Sequence, residues 1–256
     1  MQIISPNDVA PMVDENYPPE AKGKIFHRRV LSALTGGPGS IDIDYNNYAG
    51  GLGGRLAYAY TKDEFCYQAA GRIVTESRGI TDDVRPGTFM WRPAGSATDA
   101  IEFKEDSITI CAFGPAREDE WSHRLAPEIV GEWDGNEETR RIPIYRHFSV
   151  VDPSSYPAAP DDPRIEYRKI FSRERDGSRF MDIARIAFDA GTEVSGIGDE
   201  RDEIWWLEAG SAELLVGGQR MALCEKDFLF RRAGERIDQI RFPADAVVIS
   251  YSAPTA

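Results

Sequence analysis

Two stretches decide the reading of this chain: DEFCYQAAG (63–71) and DEIWWLEAG (202–210). Each opens on Asp-Glu, runs through apolar and aromatic residues, and ends on Ala-Gly. Glu64 and Glu203 stand 139 residues apart, and so do Gly71 and Gly210. The same offset of 139 carries Gly79 onto Gly218, RPAG (92–95) onto RRAG (231–234), Phe103 onto Phe242 and ITICAF (108–113) onto VVISYS (247–252). No gap is needed from about residue 60 to about residue 113. Self-similarity sustained at one offset is the signature of a repeated structural unit. Upstream, KIFHRR (24–29) resembles KIFSRE (169–174) at an offset of 145, which implies a longer connection in the first copy and sets His27 against Ser172.

Each copy reads as β-structure. LAYAY (56–60) and ITICAF alternate apolar positions with a period of two, while helical periodicity is weak. SAELLVGGQRMAL (211–223) reads as two short strands around Gly217-Gly218, a pair that tolerates the positive φ of a tight hairpin turn. GTFMWRPAG and KDFLFRRAG each read as a turn, a short aromatic strand and a second turn. Many short strands punctuated by Gly and Pro predict an all-β sandwich or barrel. The expected organisation is an N-terminal barrel over 1–116, a charged and Pro-rich linker or arm over 117–150, and a C-terminal barrel over 151–256.

With 256 residues the chain can bury two cores, and 41% hydrophobic with 29% charged residues is a globular rather than a disordered composition. A net charge of −13 argues against nucleic acid and anionic membranes as partners. The start, MQIISPNDVAPM, lacks the basic and apolar regions of a secretory signal, and no uncharged apolar run is long enough to span a bilayer. Cys66, Cys111 and Cys224 are isolated and odd in number, so reduced thiols in a cytoplasmic protein are expected.

A Glu, six residues, a Gly and, some twenty residues on, a Pro-x-Gly turn is the skeleton of the two cupin motifs. The chain resembles a bicupin, two jelly-roll barrels in tandem, over roughly 45–115 and 180–253. YTKDEFCYQAAGRIVTE and RPGTFMWRPAG are most similar to the ethanolamine-utilisation cupin branch, which includes relatives of bicupin ureidoglycine aminohydrolases. The resemblance implies three imidazoles and one carboxylate around a metal. The matching positions here are Tyr58, Tyr60, Glu64 and Thr98 in the first copy, and Ile197, Asp199, Glu203 and Ile237 in the second. Only the Glu persists, and neutral Tyr, Thr and Ile are poor or impossible ligands for a transition metal. The expectation is no metal and no other cofactor. A fallback set of Asp199, Glu203 and Asp238 would suit a hard cation.

Glu64 and Glu203 should face the barrel interiors. A buried carboxylate needs a partner, and Tyr60, Arg92 and Arg231 are the first to expect. Tyr58 and Tyr60 share one side of a strand and, with Glu64, Thr98 and Asp99, predict a polar pocket in the first barrel, with Glu64 and Tyr60 as catalytic candidates. Trp205 and Trp206 cannot both face inward. One should fill the barrel and the other should pack at an interface. His27, His123 and His147 lie outside the motifs, and TGGPGS (35–40) lacks the Lys-Ser/Thr end of a phosphate loop and reads as a turn. The predicted function is metal-independent binding of a small polar metabolite in small-molecule catabolism, by a homodimer. If the protein is an enzyme, carboxylate and tyrosine suit isomerase, lyase or hydrolase chemistry. The alternatives are a non-catalytic ligand-binding or assembly module, and a hydrolase or isomerase with the Asp/Glu metal site.

Overall fold

Alternation of apolar and polar residues at a period of two makes each segment a strand with one inward face, and the computed structural model of the chain has 21 strands among its described residues, numbered here along the sequence. It describes residues 1–12, 22–35, 37, 39–60, 62–94, 96–116, 124–125, 142–178 and 180–254. Two compact units result, one of Val9–His147 and one of Met1–Asp8 with Phe148–Ala256.

In the first unit one sheet runs β12 (Ile144–His147), β8 (Thr88–Arg92), β5 (Asp63–Ala70), β10 (Ser107–Gly114), β3 (Asp42–Tyr48), β2 (Ile25–Leu31). The other runs β11 (Arg124–Leu125), β4 (Gly53–Tyr60), β9 (Ala97–Phe103), β6 (Ile73–Ser77), β7 (Ile80–Val84). In the second unit the order is β1 (Gln2–Ile4), β19 (Phe228–Arg231), β16 (Arg201–Ala209), β21 (Ala246–Pro254), β14 (Asp182–Phe188), β13 (Ile165–Phe171), facing β15 (Thr192–Ile197), β20 (Ile237–Phe242), β17 (Ser211–Val216), β18 (Gln219–Cys224). Apolar side chains from both sheets of each unit meet in one core: Cys66, Met90 and Phe113 with Ile73, Val84 and Phe103 in the first, and Trp205, Leu229 and Phe188 with Val194, Leu214 and Ile240 in the second. These are paired antiparallel sheets of jelly-roll kind, as the strand pattern predicts.

The division of the chain is less simple than 1–116 and 151–256. Gln2–Ile4 pairs with Phe228–Phe230 of the second unit, and Ile144–His147, from the expected linker, pairs with Thr88–Trp91 of the first. Each covers the open backbone edge of β19 or β8, which would otherwise leave donors and acceptors unpaired. The KIF likeness at an offset of 145 is not the structural alignment. Ile25 pairs with Tyr48 and Ile165 with Phe188, with matching irregularities at Arg29/Leu31 and Lys169/Phe171, so the true offset is 140 and His27 corresponds to Tyr167.

The frame that opened the sequence reading has a physical cause at each position. Asp63 and Asp202 accept the backbone N–H groups of Ala94 and Ala233, at 2.9 and 3.0 Å, and so fasten the turn after β8 and β19. Gly71 and Gly210 take φ of 76° and 87°, and a Cβ at either would collide with the carbonyl oxygen of Asp106 or Asp245. The predicted hairpin also forms, with Gly217 and Gly218 at φ of 56° and 80°.

The thiols differ from expectation. Cys66 and Cys111 are direct partners across β5 and β10, with Cα atoms 4.1 Å apart, and are joined by a disulfide. Cys224 is free and exposed. Facing positions in an antiparallel ladder bring two side chains together however distant they are in sequence. No helix among the described residues is long and apolar enough to cross a membrane.

Two outcomes test this arrangement. Replacing Ile3, which packs on the second unit's core, by Asp should cost about 2 kcal/mol of that unit's stability, read by urea unfolding followed through tryptophan fluorescence. Thiol titration of the denatured, unreduced protein should count Cys224 alone, and Cys111→Ser should lower stability by about 2–4 kcal/mol. Three reactive thiols would show that the bridge does not form.

Candidate functional site

Strand register places the inward-facing residues in rows. In the first unit Arg92, Glu64, Phe113 and Asp42 lie side by side across the sheet. The next row is Cys66, Cys111, Asp44 and Arg29, and the third is Gln68, Thr109, Asn46 and His27. Arg92 Nη1 donates to Glu64 Oε2 at 3.1 Å and lies 3.3 Å from Cys66 Sγ. Arg29 faces Asp44 at 3.5 Å, and His27 Nδ1 lies 2.7 Å from Asn46 Oδ1. All of these polar side chains are buried.

The second unit repeats the first row, as Arg231, Glu203, Ser252 and Asp182, and then changes character. Below it come Leu229, Trp205, Ser250 and Ala184 beside Lys169, then Leu207, Val248, Ile186 and Tyr167. Trp205 fills this floor. Trp206 points to the opposite face, is also buried, and donates Nε1–H to the Lys226 carbonyl at 3.2 Å.

Above the floor lies a cavity of about 500 Å³. Its polar wall is a ladder of alternating charge. Lys169 Nζ is 3.8 Å from Asp182, Arg201 reaches Asp182 at 2.9 Å and Asp199 at 3.2 Å, and Arg231 Nη2 reaches Asp199 at 3.1 Å and Glu203 at 2.9 Å. Ser250 Oγ donates to Glu203 Oε1 at 2.7 Å. Side-chain exposure is 37% at Lys169 and Arg201 and 44% at Asp199, against 15% at Asp182, 16% at Glu203 and 4% at Arg231, so the Arg231–Glu203 pair is the enclosed end and Lys169, Arg201 and Asp199 lie nearer the mouth. The apolar wall is Ala184, Ile186 and Ile197, and the segment Ser154–Ala158 brings in Tyr156.

Burial pushes the Asp199 carboxyl up, but hydrogen bonds from Arg231 and from the Arg201 backbone N–H outweigh it and hold the group below the ordinary range. Burial, and then the Glu203 charge, raise the Tyr156 phenol far above its ordinary value. Tyr167 is pushed up to about 12, chiefly by burial, with Asp182 and Glu203 adding to it. Both phenols are neutral at physiological pH and act as hydrogen-bonding groups, not as bases.

The expected residues fall out unevenly. Glu64 and Glu203 face inward, each held by the Arg anticipated for it. Tyr58 and Tyr60 lie on β4, where Tyr58 pairs with Thr98, but their side chains are outside the described residues, as is His123. Thr98 is buried. Asp99, next along the strand, points to the other side and accepts the Arg78 backbone N–H at 2.6 Å, so it does not join Glu64. Asp238 repeats this role, accepting the Gly217 N–H at 2.7 Å in the exposed hairpin. The Asp199–Glu203–Asp238 set therefore does not converge. His147 lies on β12, with Nε2 3.2 Å from the Pro86 carbonyl. The sequence reading missed Lys169, Asp182, Arg201 and Tyr156. Lys169 and Asp182 lie on the strands IEYRKIF and DIARIAF, Arg201 opens β16 and Tyr156 lies ahead of β13, and none of the four falls on a motif position.

The donor chemistry does not suit the transition metal that this fold can hold. In the second barrel Ile197 and Ile237 carry no ligand atom, and the Arg231 cation is hydrogen-bonded to both remaining carboxylates. In the first, Glu64, Cys66 and Cys111 have donor atoms within 4.8 Å of one another, but the two sulfurs are bonded together, and thiolates rather than disulfides ligate metals.

No family model matches the sequence. No curated protein matches it either. Solved structures do. Protein Ylba from E. coli, of the DUF861 family, superposes with a TM-score of 0.69 at 11% identity, covering 98% of this chain and 90% of that one. Oxalate decarboxylase from Bacillus subtilis superposes with a TM-score of 0.68 at 11% identity, covering 98% of this chain and 76% of that one. With both of its barrels matched along their length, the chain has the two-barrel cupin fold.

Proposed function

We propose that the protein is a metal-independent bicupin whose second barrel binds a small polar metabolite. One observation carries this reading: at the enclosed end of the cavity, Arg231 is held by Glu203 and Asp199 at 2.9 and 3.1 Å. A guanidinium there neutralises the carboxylates that would otherwise attract a cation, and leaves a polar wall around space for a ligand. Small-molecule sites are concave, part apolar, and carry a few placed polar groups. The cavity has that composition. Bacillus subtilis oxalate decarboxylase has Mn(II) centres, and the difference in donor atoms argues that the present chain works without one.

The sequence resemblance to the ethanolamine-utilisation branch supports a place in catabolism of a small compound. Glu203, a carboxylate on the cavity wall, supports a second reading in which the bound molecule is also turned over by proton transfer. An assembly role without a ligand would leave the buried charge of the cavity unexplained, since such groups cost stability wherever water is removed.

Elemental mass spectrometry of purified protein, with and without added Mn, Fe, Ni, Zn and Ca, should find well under one ion per chain. A stoichiometric ion bound in wild type and lost in Glu203→Gln would overturn the metal-free reading. Ser252→Phe installs the residue that the first copy has at this position, Phe113, and should close the cavity without disturbing the fold. A metabolite extract should raise the melting temperature of the wild type and leave Ser252→Phe unmoved; equal shifts would place binding elsewhere.

The depressed Asp199 pKa fixes a sign. The carboxylate's contribution to stability is complete above the unfolded value of about 3.9 and is lost as pH falls through the lower folded value. In urea unfolding, the advantage of wild type over Asp199→Asn should be constant from neutral pH down to the ordinary carboxylate range and shrink below it.

A further inference from the structure

Hydrogen-bonding capacity divides the cavity into two unlike ends. At the inner end both Nη groups of Arg231 are spent: Nη1 donates to the Asp199 and Glu235 carbonyls at 3.3 and 3.2 Å, and Nη2 to Asp199 Oδ1 and Glu203 Oε2, while its Nε is buried with no partner among the described residues. It has no Nη hydrogen left for an anion. Glu203 accepts one bond at each oxygen, from Ser250 and from Arg231. A carboxylate has about four acceptor positions, so about two remain. Ser250 has given its only hydrogen to Glu203 and can only accept. The inner end therefore wants a donor.

At the mouth the balance reverses. Lys169 carries three N–H bonds, and Asp182, at 3.8 Å, is beyond hydrogen-bond length. Arg201 uses Nε on Asp199 and Nη1 on Asp182, which leaves further guanidinium hydrogens for a ligand. The Tyr167 phenol feels the charges of Asp182, Glu203 and Arg201. This end wants an acceptor. Between the two, Ile186 and Ile197 offer an apolar strip. The wall carries three cations, Lys169, Arg201 and Arg231, against three anions, Asp182, Asp199 and Glu203, so a ligand without net charge leaves the balance intact.

We propose that the cavity takes a small zwitterion of amino-acid size, its carboxylate toward Lys169 and Arg201 and its ammonium toward Glu203. The inference rests on the reading of this cavity as a ligand site. A dicarboxylate would meet Glu203 with like charge, and a simple amine would leave the mouth cations without an acceptor. Charge-assisted hydrogen bonds at both ends make the two ends separable by chemistry.

The test uses the full chain and three matched panels: small aliphatic and hydroxylated α-amino acids, the corresponding 2-hydroxy acids, and the corresponding amino acid amides. Binding is followed by ligand-observed NMR and titration calorimetry. The best amino acid should bind at least tenfold more tightly than its hydroxy-acid and amide partners. Arg201→Gln should erase the margin over the amide, and Glu203→Gln the margin over the hydroxy acid, with native folding of each variant checked by circular dichroism. Hydroxy acids or amides binding as well as amino acids would overturn the inference while leaving the site standing. No binding from any panel would overturn it as well, and the site itself falls only if the metabolite extract also fails to distinguish wild type from Ser252→Phe.

Discussion

The carboxylate–guanidinium pair between adjacent strands, Glu64 with Arg92 and Glu203 with Arg231, is the interaction on which both barrels are organised. Each Glu sits directly opposite its Arg in the ladder, and the Asp one residue earlier ties the turn that follows that Arg. Asp and Glu, on opposite faces of one strand, thus hold the same neighbouring strand and its turn. Desolvating two charges costs several kcal/mol per ion unless geometry and further hydrogen bonds repay it. A packed apolar pair would serve stability as well. That the pair occurs in both copies therefore points to its position, at the head of a barrel interior where a carboxylate is wanted and a free one would be intolerable.

Beyond that first row the copies diverge. The first barrel stays polar for two further rows, with Asp44 and Arg29, then Asn46 and His27, all buried. The second turns apolar at Trp205 and stays so through Ile186 and Val248. An indole filling the lower barrel gives the cavity above it a floor. The polar ladder can then be carried on long side chains whose heads lie near the mouth while their stems cover apolar wall, as Lys169 and Arg201 do. The outer connections show no such divergence: Asp99 and Asp238 brace the same hairpin turn in the two copies. Duplication preserved what closes the barrel and varied what faces inward.

Much of the fold was legible because its causes are local or periodic. The Asp-Glu frame, the positive-φ glycines and the Gly217-Gly218 turn each announce themselves within a few residues. Inward orientation of Glu64 and Glu203, and their Arg partners, followed from strand alternation and the cost of a buried charge. The exchange of the short strands β1 and β12 was not legible, since three or four residues of edge pairing leave no period to read. Nor was the Cys66–Cys111 contact, which depends on ladder register between segments 45 residues apart. The likeness of KIFHRR to KIFSRE misled by five residues, because four matching letters in six outweighed the register that hydrogen bonding imposes.

The site was hidden for a related reason. Motif positions mark where a metal-binding relative has ligands, and in this chain those positions hold Ile197 and Ile237, so attention went to the copy with more polar letters at the same places. The outer part of the ladder that lines the second cavity, Lys169, Asp182 and Arg201, comes instead from β13, β14 and the start of β16, at positions the motifs do not cover. Ile197, Asp199 and Glu203 are common to both accounts, and Asp199 stands among different partners from those a motif ligand would have. Where a histidine would give a lone pair to a metal, Asp199 accepts hydrogen bonds from Arg231 and Arg201 and joins the inner ion pair to the outer one. With the Arg231 guanidinium between them, the Asp199 and Glu203 carboxylates are held as a balanced local charge. A cupin barrel altered in this way retains the means to orient a polar molecule by its two ends.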